Sequence, residues 1–350
     1  MKNHSIEADN TYSCQSEDGP KSKERIAYLD ALKAFAILLV VEGHVRILGM
    51  GISPYDSFSG LLFNSFELPI FFFVSGYLAF KKSLSLKSAC INIKNKFLLL
   101  VIPAVVFRTI LNVVENRDLL SPLFEGFGKY WFTITLFECF FIYYLVLFLF
   151  KLDFFVNSAM ILLSLLGIAM IGRVGNIGPK IIDLSHFVNY FYFFSIGILA
   201  HRFQAKYELI IKNQLLKTIA IVLFFLSLIF LEYYSLPKPV FHLLRDIALR
   251  FIGTFLVVSL FASLEGYFHK SNAVLSTVKK IGGRTLPIYL LQYFFIPKLG
   301  MIQERLLDIG MFTVHLVSFG FSIFVITVCI AFTYCLEQSN FVKKFFLGQK

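Results

Sequence analysis

Hydrophobic residues run through this chain in ten long blocks separated by short polar segments, at 27–47, 60–80, 97–115, 129–150, 155–172, 186–201, 215–233, 243–264, 284–300 and 311–336. Roughly 17–25 apolar residues is the length of an α-helix that crosses a bilayer. The pattern therefore predicts an all-α, polytopic integral membrane bundle of about ten transmembrane helices. The block at 155–172 follows a very short turn at Lys151-Leu152-Asp153, and 186–201 is short for a span. No Gly/Ser-rich linker or shift in composition divides the blocks, so residues 25–338 read as one transmembrane domain. A polar tail at 1–24 and a short basic tail at 339–350 flank it. The blocks show no inverted repeat of the kind that builds many secondary transporters.

Composition sharpens this reading. Charged residues make up 16% of the chain and the mean hydropathy is +0.73, against about 25% charge in soluble domains. Forty-three Phe and sixteen Tyr suit lipid contact and interfacial belts. With the N-terminus inside, twenty-one of the 33 Lys and Arg fall on the inner side and nine on the outer. That bias sets orientation and puts both termini in the cytoplasm; an odd number of spans would spoil it. The net charge of +11 thus belongs mostly to inner loops, and no nucleic-acid partner is expected. Five scattered cysteines give neither a disulfide framework nor a metal cluster. Residues 1–24 lack an apolar core, so they read as a cytoplasmic tail and not a signal peptide.

The candidate chemistry lies in charges that fall inside the apolar blocks. Each costs roughly 2.5–3.5 kcal/mol on insertion scales, so such residues usually mark a site. The first block carries Asp30, Lys33, Glu42 and His44. Lys33 and His44 are eleven residues apart, which puts them nearly in line on one helical face and roughly 16 Å apart in depth. Asp30 sits one turn below Lys33. Glu67, near the outer end of the second block, is placed to meet His44 from an antiparallel neighbour, fix its tautomer and stabilise its imidazolium. Arg108 and Glu138 lie near mid-membrane on neighbouring blocks and are expected to pair. For Arg250 and Glu42 a purely structural ion pair between helices is an equally good reading. In the second block, Pro69 should loosen the backbone and free the Ser65 carbonyl. Ser75-Gly76 permits close approach by a helix or a ligand, but Ser75 lacks the surroundings of a nucleophile.

Several motifs then point one way. Arg25 to His44 follows R-x-x-x-L-D-x-L-(R/K)-x10-H in outline, and Phe66 to Leu78 reads F-E-L-P-I-F-F-F-V-S-G-Y-L. Lys94 to Pro103, Trp131-Phe132-Thr133 and Ile281 to Gln292 add weaker matches. Together these segments resemble the membrane-bound acyltransferase-3 family, in its fucose 4-O-acetylase-like branch. The resemblance implies transfer of an acyl group, most often acetyl, from cytoplasmic acetyl-CoA or another acyl-CoA to a hydroxyl of a cell-surface or lipid-linked glycan. It also implies residence in the bacterial inner membrane, no permanently bound cofactor and no metal. On that reading His44 is the general base, with Glu67 as its partner. Asp30, Lys33, Ser75, Arg108, Trp131, Glu138 and Gln292 are expected to bind donor or acceptor, with Lys81, Lys82, Lys94 and Lys96 nearest the CoA phosphates. For Trp131, anchoring in headgroups is the stronger of the two readings.

Three positions depart from the family pattern. Lys33 stands where arginine is common, Glu67 where the second motif has histidine, and Gln292 where the last motif has histidine. The Glu67 and Gln292 departures put the acceptor and the proton path in question and leave His44 untouched. Two other readings compete: a secondary transporter or exporter, and a catalytically silent relative acting in glycan assembly.

Overall fold

The computed structural model describes residues 27–53, 58–118, 126–170, 184–233, 239–268, 272–339 and 342. The tails expected at 1–24 and 339–350 lie outside these residues, apart from residues 339 and 342. All regular structure among the described residues is helical. In chain order the helices are α1 (Ala27–His44), α2 (Phe58–Asn64), α3 (Glu67–Ala79), α4 (Leu86–Lys96), α5 (Ile102–Val114), α6 (Trp131–Leu149), α7 (Asp153–Met170) and α8 (Leu184–Arg202). They continue as α9 (Gln204–Lys212), α10 (Gln214–Tyr233), α11 (Pro239–Ser263), α12 (Glu265–Phe268), α13 (Ala273–Gly283), α14 (Thr285–Phe295), α15 (Gln303–Ile309) and α16 (Met311–Leu336).

Among the described residues, six helical stretches are long and apolar enough to cross a membrane, and eight if two sharply bent pairs each count as one span. The bent pairs are α9 with the start of α10, at 64°, and α14 with Gly300–Ile309, at 74°. Two of the ten expected spans fall short of that measure for a physical reason. α1 carries Asp30, Lys33 and Glu42 within its 18 residues. α8 carries His186, Asn189 and His201. Both are nonetheless embedded in protein. α1 is buried along most of its length and packs against α3, α11, α13, α14 and α16. Its polar side chains therefore meet other helices instead of lipid, where isolated charges are costly.

Local breaks follow the sequence. The expected span at 60–80 divides at Ser65–Phe66 and restarts as α3. Pro69 then sits in the first turn of α3, where its missing N–H leaves no intrahelical bond unmade. The third block keeps helical continuity from Leu86 through Val114 but widens into a π turn at Phe97–Val101, just ahead of Pro103. A second π turn, Val45–Gly49, directly follows His44; such turns often occur at functional positions. Its end is pinned to the segment after α14, because the Leu299 N–H donates to the Gly49 carbonyl at 2.7 Å.

Among the described residues, the most extensively packed helix pair is α3 with α8. A Cβ on Gly76 would run into the Phe194 carbonyl, and one on Gly197 into the Phe73 carbonyl. The two glycines face each other's helices and let the backbones touch, as small residues do in membrane bundles.

Candidate active site

The functional side chains lie at two levels along α1. Near its start, Lys33 Nζ pairs with Asp30 at 2.9 Å, so the two residues placed one turn apart by sequence do meet. Gly282 of α13 lies against the Asp30 carbonyl, where any side chain would collide. Lys33 and Ser75 line a cavity of about 90 Å³ together with Leu100, Phe132, Thr285 and Tyr289. This cavity runs between α1, α3, the π turn at Phe97–Val101, α6 and α14, the helix that carries Gln292. Of the candidate lysines, Lys82 and Lys94 are exposed. Lys81 bonds Asn92 at 2.8 Å, and Lys96 sits 3.8 Å from the Phe140 ring centroid.

His44 closes α1 at the other level. Its Nδ1 lies 3.0 Å from Gln292 Oε1. Gln292 Nε2 in turn donates to the Tyr289 carbonyl at 3.1 Å. That second bond orients the amide, so its oxygen accepts and His44 Nδ1 must carry the proton. The remaining nitrogen, Nε2, is left with its lone pair, the state a general base requires. Tyr293 stands next to it, with ring centroids 5.1 Å apart and its hydroxyl 3.5 Å from Nε2. Tyr293 spends its proton elsewhere, donating to the Lys129 carbonyl at 2.8 Å; Tyr289 donates to the same carbonyl at 2.7 Å. The ring is thus fixed by a glutamine and a backbone-anchored tyrosine pair, while Nε2 stays unclaimed.

This differs from the expected Glu67–His44 pair. Glu67 lies beside Gly43, its Oε2 3.9 Å from where a Cβ would stand, and makes no hydrogen bond to His44. The antiparallel approach of α1 and α3 occurs, but the carboxylate reaches the neighbouring residue while Gln292 takes the ring. Replacing Gln292 with leucine, which keeps volume but removes the acceptor, should lower turnover by about 10²-fold. Gln292→His, which restores an acceptor nitrogen, should lose less. The check is kcat for each variant at matched thermal stability; equal rates for Gln292→Leu and wild type would remove the orienting role.

A second buried network adjoins the first. Glu42 Oε1 accepts from Arg46 Nε at 2.7 Å, from His315 Nδ1 at 2.8 Å and from Ser318 Oγ at 2.7 Å. The pairing reading of Glu42 fits this geometry, although its charge partner is one turn along the same helix. Arg46 is 1% exposed and Glu42 fully buried, so removing either would strand a charge.

The remaining candidates are spread more widely. Arg108 does not pair with Glu138: its guanidinium lies flat under Gly128, 3.2–3.4 Å from where a Cβ would be. Gly128 has φ +50°, so both space and backbone favour glycine there. Trp131 stacks on His186, with centroids 3.8 Å apart, so one indole face is already covered. Arg250 lies over the Tyr190 ring, 5.6 Å from its centroid. Glu115, at the end of α5, clamps the turn before α6 through Lys129 at 2.7 Å. Burial works to raise its pKa, but the Lys129 bond and the nearby charges hold it below the ordinary value. Sequence reasoning missed Tyr289 and Tyr293, as well as His315 and Ser318. The last two stand three residues apart in an otherwise apolar run, which was the available signal.

Helices that bury a charged axis and gather their polar groups at two depths define a polytopic membrane protein with an internal site. Residues 26–335 match the family model described as an acyltransferase domain. The chain therefore belongs to the acyltransferase-3 family and is a membrane acyltransferase. No curated protein and no solved structure matches it.

Proposed function

We propose that the protein transfers an acetyl group from acetyl-CoA to a hydroxyl of a cell-surface or lipid-linked glycan. The observation that carries this reading is the His44–Gln292–Tyr289 chain, which leaves Nε2 as a poised base about three helical turns from Lys33. The donor enters from the basic, cytoplasmic side, where Lys81, Lys82, Lys94 and Lys96 offer charge to its phosphates. Its thioester arm lies along the cavity past Lys33 and Ser75. That cavity's volume of about 90 Å³ supports a short acyl group over a long one.

His44 Nε2 takes the proton as the acceptor oxygen attacks the thioester carbon, the tetrahedral intermediate collapses, and CoA leaves as a thiolate that regains a proton from the imidazolium. Gln292, through its bond to Nδ1, and the packed Tyr293 ring hold the imidazole through both transfers. Glu67, beside Gly43, and Arg108, under Gly128, shape the acceptor side in this reading. Asp30 keeps Lys33 in place, while Trp131 and Glu138 contribute from α6. We place the protein in the bacterial inner membrane with both termini cytoplasmic, following the charge bias.

The test is CoA release and acetylated product in proteoliposomes given acetyl-CoA outside and a panel of oligosaccharides and lipid-linked sugars. Transfer to a hydroxyl acceptor that needs acetyl-CoA is expected. Release with longer acyl-CoA donors only would keep the enzyme class and discard the acetyl assignment.

A further inference from the structure

A cavity of about 740 Å³ opens between α3, α8, α9, α10 and α11, and it shares no lining residue with the Lys33 cavity. α3 separates the two: Ser75 and Phe71 face the Lys33 side and Phe73 the other. The walls are mostly hydrocarbon, with Phe193 from α8, Ile219 from α10, and Phe251 and Val258 from α11, and Tyr207 and Thr254 add a hydroxyl each. The 64° bend between α9 and α10 splays these helices apart. Ile219 is 45% exposed on the splayed edge, so the groove is open sideways, toward lipid in a membrane.

One charged residue lines it, Lys206. Its ammonium stands 6.0 Å from the Phe203 ring centroid. On the same helix Glu208 is engaged by Lys212, and Arg202 at the end of α8 by Asp153. Lys206 follows the end of α8 on the side that the basic loops mark as cytoplasmic. An apolar trough beneath an exposed cation matches an acyl chain beneath an anionic headgroup. Anionic lipids are concentrated in the cytoplasmic leaflet, where each nearby Lys or Arg adds attraction.

We propose that this groove binds one anionic diacyl phospholipid of the cytoplasmic leaflet. An acyl chain lies between α8, α10 and α11, and the phosphate sits on Lys206. The site is separate from the acyl-transfer machinery, because His44 stands at the opposite end of the bundle. Such a lipid does not present a hydroxyl to it. The inference holds whether or not the acetyl assignment does.

The experiment uses full-length protein in nanodiscs of phosphatidylcholine doped with phosphatidylglycerol, with retained lipids counted by native mass spectrometry. Wild type should retain phosphatidylglycerol over phosphatidylcholine about fivefold beyond their bulk ratio, the worth of one basic residue near the surface. Lys206→Ala should lose that preference but still retain lipid. Ala220→Trp, which fills the trough, should retain neither. Retention at the bulk ratio by wild type, or an unchanged preference in Lys206→Ala, would overturn the proposal. Lys206 is exposed, so its variant decides the question even where Ala220→Trp fails to fold.

Discussion

His44→Ala protein is expected to lose about 10²–10⁴-fold in acyl transfer while keeping its fold. The loss follows from removing the one nitrogen that the surrounding network leaves free to accept a proton. Nδ1 is bound to Gln292, and Tyr293 has already given its hydrogen to the Lys129 carbonyl. Neither neighbour is arranged to take over as base. General-base catalysis contributes a factor of this size, equivalent to about 3–5 kcal/mol of transition-state stabilisation. The measurement is the rate of CoA release in proteoliposomes, with thermal unfolding recorded on the same samples. A rate within a few-fold of wild type, at equal stability, would move the base elsewhere and leave Glu67 as the next carboxylate to test.

The largest effect on stability is expected at the α3–α8 crossing. Gly76→Leu places its Cβ on the Phe194 carbonyl, and a backbone atom cannot rotate away as a side chain can. The reciprocal contact of Gly197 with the Phe73 carbonyl means that separating the helices undoes both halves of the interface. Overpacking of a close interior costs typically 1–3 kcal/mol. A backbone-to-backbone clash should lie at or above the upper end, a large share of a total stability of about 5–15 kcal/mol. Gly320 on α16 is the control, since nothing lies within 4 Å of an added Cβ there. Gly320→Ala should leave the unfolding temperature in detergent unchanged, while Gly76→Leu should lower it sharply or prevent recovery of folded protein. Equal unfolding temperatures for Gly76→Leu and wild type would mean that the crossing is looser than its geometry.

Much of the architecture was legible because hydrophobic length is a strong signal in a membrane protein. The apolar blocks anticipate the helices, and Pro69 and Pro103 mark the places where regular helix gives way. What sequence could not weigh was shielding: α1 looks marginal by its charges, yet it lies inside a ring of helices. The vertical arrangement of the site was also legible, since Lys33 and His44 are set by the rise of a single helix. Lateral neighbours were not. Glu67 was matched to His44 by depth alone, and a difference of one residue around α1 brought it to Gly43 instead. Gln292 and Glu67, the two positions where the chain departs from the family's histidines, both border His44 or the residue before it. Two of the three departures thus lie beside the histidine that the motif preserves, and the third, Lys33, lies at the other end of α1.

The enclosure of α1 also constrains how the protein is made. α1 is the first of the described helices to leave the ribosome, and it carries Asp30, Lys33 and Glu42. Of the helices that surround it, α13, α14 and α16 are synthesised last. Until they arrive, Asp30–Lys33 and Glu42–Arg46 can pair within the first segment, but His315 and Ser318, which complete the hydrogen bonding of Glu42, do not exist. The first helix must therefore wait, partly unshielded, through the synthesis of nearly the whole chain. Truncations that remove the C-terminal helices leave it exposed for good.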